Sequence, residues 1–135
     1  MGAMLAATLI VDFHMNWSRV VLIYSGILAL WGLFLWVRKS NPSPGYLGAL
    51  AIAEGVFLVQ GISGLIAVIT ANGAHDRPHD PLHYLYGVVL VLTLPAAYFF
   101  GDGGRERRDS LIFGLAALFI IGIAIRGITT GAGPS

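Results

Sequence analysis

The sequence predicts an all-α integral membrane protein, an up-down bundle of four helices with both termini outside the membrane. Four apolar runs favour this fold class, because each is close to the roughly 20 residues that cross about 30 Å of hydrocarbon. They occupy residues 20–37, 46–71, 82–100 and 111–125. Hydrophobic residues make up 56% of the chain and charged residues only 11%, against about 25% charged in soluble domains.

The composition also limits the functions that the chain can have. At 135 residues, the sequence leaves room for a single membrane domain and for no second soluble domain. Its net charge of +1 gives no basic face for phosphates, so we expect no nucleic-acid partner. Because the chain contains no cysteine, thiolate-bound zinc, iron–sulfur clusters and disulfide exchange are excluded.

Basic residues set the predicted orientation, because Lys and Arg are retained on the cytoplasmic side of short loops. Arg38 and Lys39 follow the first apolar run, whereas Arg105, Arg107 and Arg108 precede the fourth. Both of these connectors are therefore expected inside, and both termini outside. The same orientation places all the histidines on the outer side: His14, His75, His79 and His83.

The first helix is predicted over residues 17–38. Asn16 is a suitable N-cap and Trp17 suits the membrane interface, so residues 1–15 are expected to form an interfacial flap. The second helix is predicted over residues 45–72, behind a proline-rich turn that ends the first.

The third and fourth helices complete the bundle. The third is predicted over residues 81–100, with Pro81 in its first turn, where a proline is favourable. The fourth is predicted over residues 108–128, with Gly114 and Gly122 as notches that let a neighbouring helix approach. Short connections favour antiparallel neighbours and hence up-down topology.

His83 is the histidine most suited to hold a cofactor. It lies about one turn inside the third predicted helix, and Gly87 follows one turn further on. This spacing offers an axial nitrogen with no side chain beneath a flat porphyrin, as a b-type haem requires, so His83 would be the metal ligand. The alternative is an interfacial histidine that caps carbonyls or pairs with Asp80.

Arg126 and Arg19 are predicted at the same outer membrane level. Their guanidinium groups could bind carboxylates such as haem propionates, which Arg matches with two parallel hydrogen bonds. The alternative is that both side chains extend to the lipid headgroups.

Glu54 and Gln60 are polar residues inside the second predicted helix. A carboxyl group and an amide at that depth need partners, which could be a quinone head group or other helices. They could also serve a transported substrate, although one small bundle lacks the repeated halves of most carriers.

Several segments resemble the haem A synthase family, whose members consist of two similar four-helix halves. The likeness lies in residues 60–68, in His83 at the start of the next span, and in residues 125–133, which are similar to the family's Arg-x-Thr-Gly-x-Gly segment. Residues 17–19 and the apolar run behind them resemble the family helix that opens with a His-Arg pair.

The resemblance implies that His83 is an axial haem ligand. The resemblance does not imply that this chain catalyses the family's oxygenase reaction. Ser18 stands where the family's other histidine would be, and Met15 stands where a nearby glutamate would be. The family's outer-loop cysteines are also missing, and the chain has half the family's size. The opposite haem ligand could be His14, a loop residue such as His79, or a second His83 in a dimer, or the position could be open.

The leading hypothesis is therefore a haem-binding protein near the extracytoplasmic face that transfers electrons or serves as a respiratory-complex subunit, without catalysis of its own. The expected setting is the plasma membrane of a prokaryote, and the expected partners are the lipid bilayer, a second copy or a larger membrane complex, and a quinone. The alternative is a cofactor-free accessory subunit whose polar residues only specify helix pairing.

Overall fold

The computed structural model of the chain describes residues 2–71 and 80–132. Within these residues there are four helices and no strand, which confirms the predicted all-α class. The helices are α1 (Gly2–Val37), α2 (Pro44–Ile69), α3 (Leu82–Phe100) and α4 (Arg107–Ala132). All four are long and apolar enough to cross a membrane, as expected for an integral membrane protein. Two of the predicted outer histidines, His75 and His79, lie outside the described residues.

Helix α1 begins much earlier than the span predicted from residue 17. Residues 2–15 continue the same helix instead of forming a separate segment, and Asn16 lies within it instead of capping it. The reason is local, because residues 3–16 contain neither proline nor glycine to end a helix. At 36 residues α1 is about 54 Å long, which exceeds the roughly 30 Å of hydrocarbon. The interfacial location of residues 1–15 stays a prediction.

Hydrogen bonds from aromatic side chains connect α1 to α2. Trp17 Nε1 donates to the carbonyl of Val56 at 2.9 Å, and the Tyr24 hydroxyl donates to that of Ala49 at 2.8 Å. The fully buried Tyr46 donates in the opposite direction, from α2 to the carbonyl of Leu28 in α1. As the α1 residue number rises, the α2 partner's number falls, so these two helices run antiparallel.

Close contact between α1 and α4 depends on glycine. A Cβ atom added to Gly32 would lie 3.0 Å from Gly114 Cα, so a side chain at either position would push the helices apart. At the end of the bundle that contains the α1–α2 turn, the Ser110 hydroxyl donates to the carbonyl of Ser40. At the other end, the Asp80 N–H donates to the carbonyl of Thr130.

Asp109 organises the connection between α3 and α4. Its side chain is 1% exposed and accepts hydrogen bonds from the backbone N–H groups of Asp102, Gly104 and Glu106. The loop needs this support, because Gly103 and Gly104 adopt φ values of +69° and +83°. One carboxylate therefore satisfies donors that would otherwise lie unpaired beside the start of α4.

We expect Asp109→Ala to lower the free energy of unfolding by about 2–4 kcal/mol, because several hydrogen bonds to a charged acceptor are lost together. Thermal unfolding in detergent, followed by circular dichroism, measures the change. Asp102→Ala is the matched control, because it removes only the exposed ion pair with Arg108 and should have little effect. Equal losses in the two variants would contradict this role of Asp109.

Candidate functional site

His83 lies in the first turn of α3 with its ring held by α4. Its Nδ1 is 3.0 Å from the carbonyl oxygen of Gly127 and 3.3 Å from Thr130 Oγ1. A carbonyl oxygen can only accept, so Nδ1 must carry the hydrogen. The Thr130 hydroxyl agrees with this assignment, because it donates its own hydrogen to the carbonyl of Arg126. In the neutral ring, Nε2 is then left with a free lone pair.

His14, on α1, has the same tautomer for a parallel reason. Its Nδ1 lies 3.0 Å from Ser63 Oγ, on α2. The Ser63 hydroxyl has one hydrogen and donates it to the carbonyl of Gln60 at 3.0 Å, so it must accept from His14. The Nδ1 of His14 therefore carries the hydrogen, and its Nε2 also presents a lone pair.

The two imidazole rings lie at a centroid separation that suits two ligands of one metal ion. Their centroids are 6.0 Å apart, with an angle of 77° between the ring planes. With metal–nitrogen bonds of about 2.0 Å, two such imidazoles would have centroids roughly 6 Å apart. Neither Nε2 has a hydrogen-bond partner among the described residues. Two acceptors cannot hydrogen-bond to each other, so each Nε2 is free to bind an electrophile or a donor.

A glycine residue packs closely against each of the two histidine rings. A Cβ atom added to Gly64 would lie 2.8 Å from His14 Cε1, and one added to Gly131 would lie 2.7 Å from His83 Cε1. Real Cβ atoms do not come this close, so any side chain at these positions would displace the ring. The two glycines therefore fix how near the imidazoles lie to α2 and α4.

Both histidines line a cavity of about 730 Å³ to which all four helices contribute. This volume is within the range of about 300–1,000 Å³ that holds drug-sized and cofactor-sized ligands. Gly87 also lines the cavity, and a Cβ atom added there would meet no atom of the described residues within 4 Å. Open space therefore lies beside His83, one turn further along α3.

The structure places the residues predicted from the sequence in two groups. His14, His83, Gly87 and Gln60 line the cavity together, and Ser18 and Met15 border it as well. Arg19 and Arg126 are exposed, and the guanidinium of Arg126 lies 6.0 Å from the ring centroid of Tyr86, which lines the cavity. His79, the alternative loop ligand, is not among the described residues.

Gln60 lines this cavity with an unsatisfied atom. Its Oε1 is buried and accepts no hydrogen bond from any residue that the structure describes. A buried amide oxygen without a donor costs free energy, and a donor at this position would remove that cost. Such a donor would come from a ligand or from water.

Ser63 and Thr130 orient the two histidines, and the sequence does not reveal this role. Both residues occur in stretches of small side chains that predict close helix packing. Their partners lie 49 and 47 residues away in the chain, on other helices. Only the relative rotation of the helices brings each hydroxyl to its imidazole, and spacing within one helix contains no information about that rotation.

The arrangement suits a metal that brings most of its own ligands. Across residues 2–71 and 80–132, no group of three or more His, Cys, Asp or Glu side chains could hold a metal ion. A closed zinc site needs about four protein ligands, so two imidazoles alone do not make one. Two imidazoles are sufficient for an iron porphyrin, whose macrocycle supplies the equatorial nitrogens. Comparison with known proteins adds no relative, since no protein-family model, curated protein or solved structure matches the chain.

Proposed function

We propose that this chain binds a b-type haem between His14 and His83 and transfers electrons as a subunit of a respiratory complex in a prokaryotic plasma membrane. One observation supports the proposal above all. Two neutral imidazoles with protonated Nδ1 atoms and free Nε2 atoms lie 6.0 Å apart, on the wall of a cavity of cofactor size. Hydrogen bonds at Nδ1 that fix the orientation of the ring are typical of metal-binding histidines.

The cavity residues fit the macrocycle. Gly87 leaves open the space beside His83 that a flat ring would occupy, and Gln60 offers an acceptor at the cavity wall. The segments that resemble haem A synthase, residues 60–68 and 125–133, are also the ones that contain Ser63 and Thr130. The resemblance implies His83 alone as a ligand, and the hydrogen-bond geometry adds His14 as its partner.

Ligation by two histidines favours electron transfer over the binding of a gas. When bound, haem would supply a one-electron couple, and His14 and His83 would hold it without leaving a site for a gas. The chain's own contribution is to hold both rings through Ser63, Gly127 and Thr130 and to surround them with apolar helices. A fixed ligand set needs little rearrangement when the charge on the iron changes.

Purification from haem-replete cells tests the proposed function. The protein should show a Soret band and, on reduction, the sharp visible bands of six-coordinate low-spin haem. A colourless protein that also fails to take up added haem would reject the proposal and leave the cofactor-free accessory subunit as the better interpretation.

Arg126 is proposed to pair with a haem propionate, and Arg19 is proposed as a second partner. We expect Arg126→Leu to weaken haem retention and to lower the reduction potential, because loss of a nearby positive charge disfavours the electron-rich reduced state. A spectroelectrochemical titration measures the potential. Arg38→Leu is the control, because Arg38 is exposed beyond the far end of α1. An unchanged potential in Arg126→Leu would remove this residue from the site.

The same proposal includes an up-down bundle with both termini outside. It is supported by the antiparallel α1 and α2, by contacts between α3 and α4 at both of their ends, and by the basic residues beside Ser40 and Glu106. Cysteines introduced at Ser40 and Glu106 should resist membrane-impermeant reagents in intact cells, whereas one at Thr70 should react. The opposite labelling pattern would place the two histidines on the cytoplasmic side.

A further inference from the structure

A second cavity, of about 380 Å³, lies between α2, α3 and α4, next to the loop that Asp109 organises. Apart from Glu54 and the hydroxyl of Tyr98, the side chains that line it are apolar, among them Leu94, Pro95 and Phe113. Its volume is near the lower end of the range for small-molecule sites and suits one substituted ring.

Glu54 lines this cavity and has an unsatisfied acceptor. Its Oε2 is buried and has no hydrogen-bond partner within the described part of the chain. Leaving a carboxyl oxygen without a donor in an apolar setting is costly, and the cost is larger if the group is charged. Few lining residues could hydrogen-bond to Glu54, because Tyr98 is the only other one with a polar side chain. A ligand that donates a hydrogen bond would remove this cost.

The position of the cavity in the membrane and its lining limit which kinds of ligand could donate a hydrogen bond to Glu54. A ligand that arrives from the bilayer must be soluble in lipid, which disfavours a permanently charged head group. Tyr98 and Phe113 are aromatic residues of the lining, and aromatic rings pack favourably with one another. A neutral ring that carries a hydroxyl group meets both conditions and donates to a carboxyl oxygen.

We propose that this cavity binds the head group of a lipid-soluble hydroquinone, whose hydroxyl donates to Glu54 Oε2. The site is separate from the two histidines. Glu54 precedes Ser63, the partner of His14, by nine residues on α2, which corresponds to about 14 Å along the helix axis. Binding at Glu54 therefore does not depend on haem, and each site can be tested without the other.

Anaerobic titration calorimetry with duroquinol, on the full chain in detergent, tests the proposal. The unmodified protein should bind duroquinol, and Glu54→Leu should bind it at least about tenfold more weakly because the acceptor is lost. Glu54→Gln keeps an amide oxygen at a similar position and should retain part of the affinity. Ile52→Ala, at an exposed position on the same helix, is the control and should bind like the unmodified protein.

Two further probes identify the ligand class. The dimethyl ether of duroquinol has the same ring but no hydroxyl hydrogen, so it should bind at least about tenfold more weakly than duroquinol. Benzylamine should not compete with duroquinol. Binding of the ether as tight as that of duroquinol, or tighter binding of benzylamine that requires Glu54, would overturn the proposal in favour of an apolar or a cationic ligand.

The haem spectrum keeps a failure here distinct from a failure of the proposed function. Glu54→Leu removes an unsatisfied polar atom and should fold, and its Soret band should match that of the unmodified protein. Loss of duroquinol binding with an unchanged Soret band supports the second site. Duroquinol affinity that is equal in the unmodified protein and in Glu54→Leu overturns it, whatever the haem content.

Discussion

Alanine at either His83 or His14 is expected to abolish the six-coordinate low-spin spectrum. Each substitution removes one of two axial nitrogens, and even loss of a residue that only orients a ligand costs about 10–100-fold in metal affinity. We therefore expect haem affinity to fall by about 100-fold or more in each variant. The haem bound per protein, measured by titration with hemin and by Soret absorbance, gives the result directly.

The same experiment distinguishes the alternative ligands. His79→Ala should leave the spectrum unchanged, whereas a loss in that variant together with an intact spectrum in His14→Ala would assign the second ligand to the loop. Ser63→Ala should have an intermediate effect, because it keeps both ligands but removes the acceptor that orients His14. If it matched His14→Ala in severity, Ser63 would have a larger structural role than orientation.

The fold class follows from the sequence because the bilayer imposes a length and a polarity on each helix. Four apolar runs separated by charged connectors leave few other arrangements, and the described residues indeed form four helices and no strand. The start of α1 could not be predicted from the sequence. Asn16 is a good N-cap and Trp17 a good interfacial residue, but neither one stops a helix. The preceding residues continue it, since they contain no breaker.

The candidate site could be predicted only in part. The spacing of His83 and Gly87 on one helix indicates a position beside a flat ring, and the structure shows open space there. Its pairing with His14 depends on the rotation of α1 against α3. His14 is brought to the cavity by the unexpected N-terminal extension of α1, so a prediction that begins the helix at residue 17 cannot fix its position.

The polar contacts also bear on the choice between a cofactor protein and a simple accessory subunit. Polar residues that only specify helix pairing should satisfy one another, as Tyr46 does with the carbonyl of Leu28. The imidazoles satisfy only their Nδ1 atoms in this way, and Gln60 Oε1 has no partner among the described residues. A buried acceptor without a donor, such as Gln60 Oε1, is costly to a scaffold and useful to a ligand site.

Leucine at Gly87 tests this distinction. A first side-chain atom at Gly87 meets nothing among the described residues, so the haem-free protein should accept the change. Its helix should even gain up to about 1 kcal/mol, because glycine is a poor helix former. The leucine side chain would extend into the space beside His83 that we assign to the macrocycle. Overpacking of about 1–3 kcal/mol should then lower haem affinity by roughly 5- to 150-fold.

Gly122→Leu is the matched control for Gly87→Leu. Gly122 is also a helical glycine with open space at its Cβ position, but it is exposed and does not line the cavity. Hemin titration and thermal unfolding of the haem-free protein should be measured for both variants. We expect equal or raised thermal stability in both and loss of haem in Gly87→Leu alone. Full haem binding by Gly87→Leu would show that the macrocycle does not lie against this turn of α3, even if His14 and His83 remain its ligands.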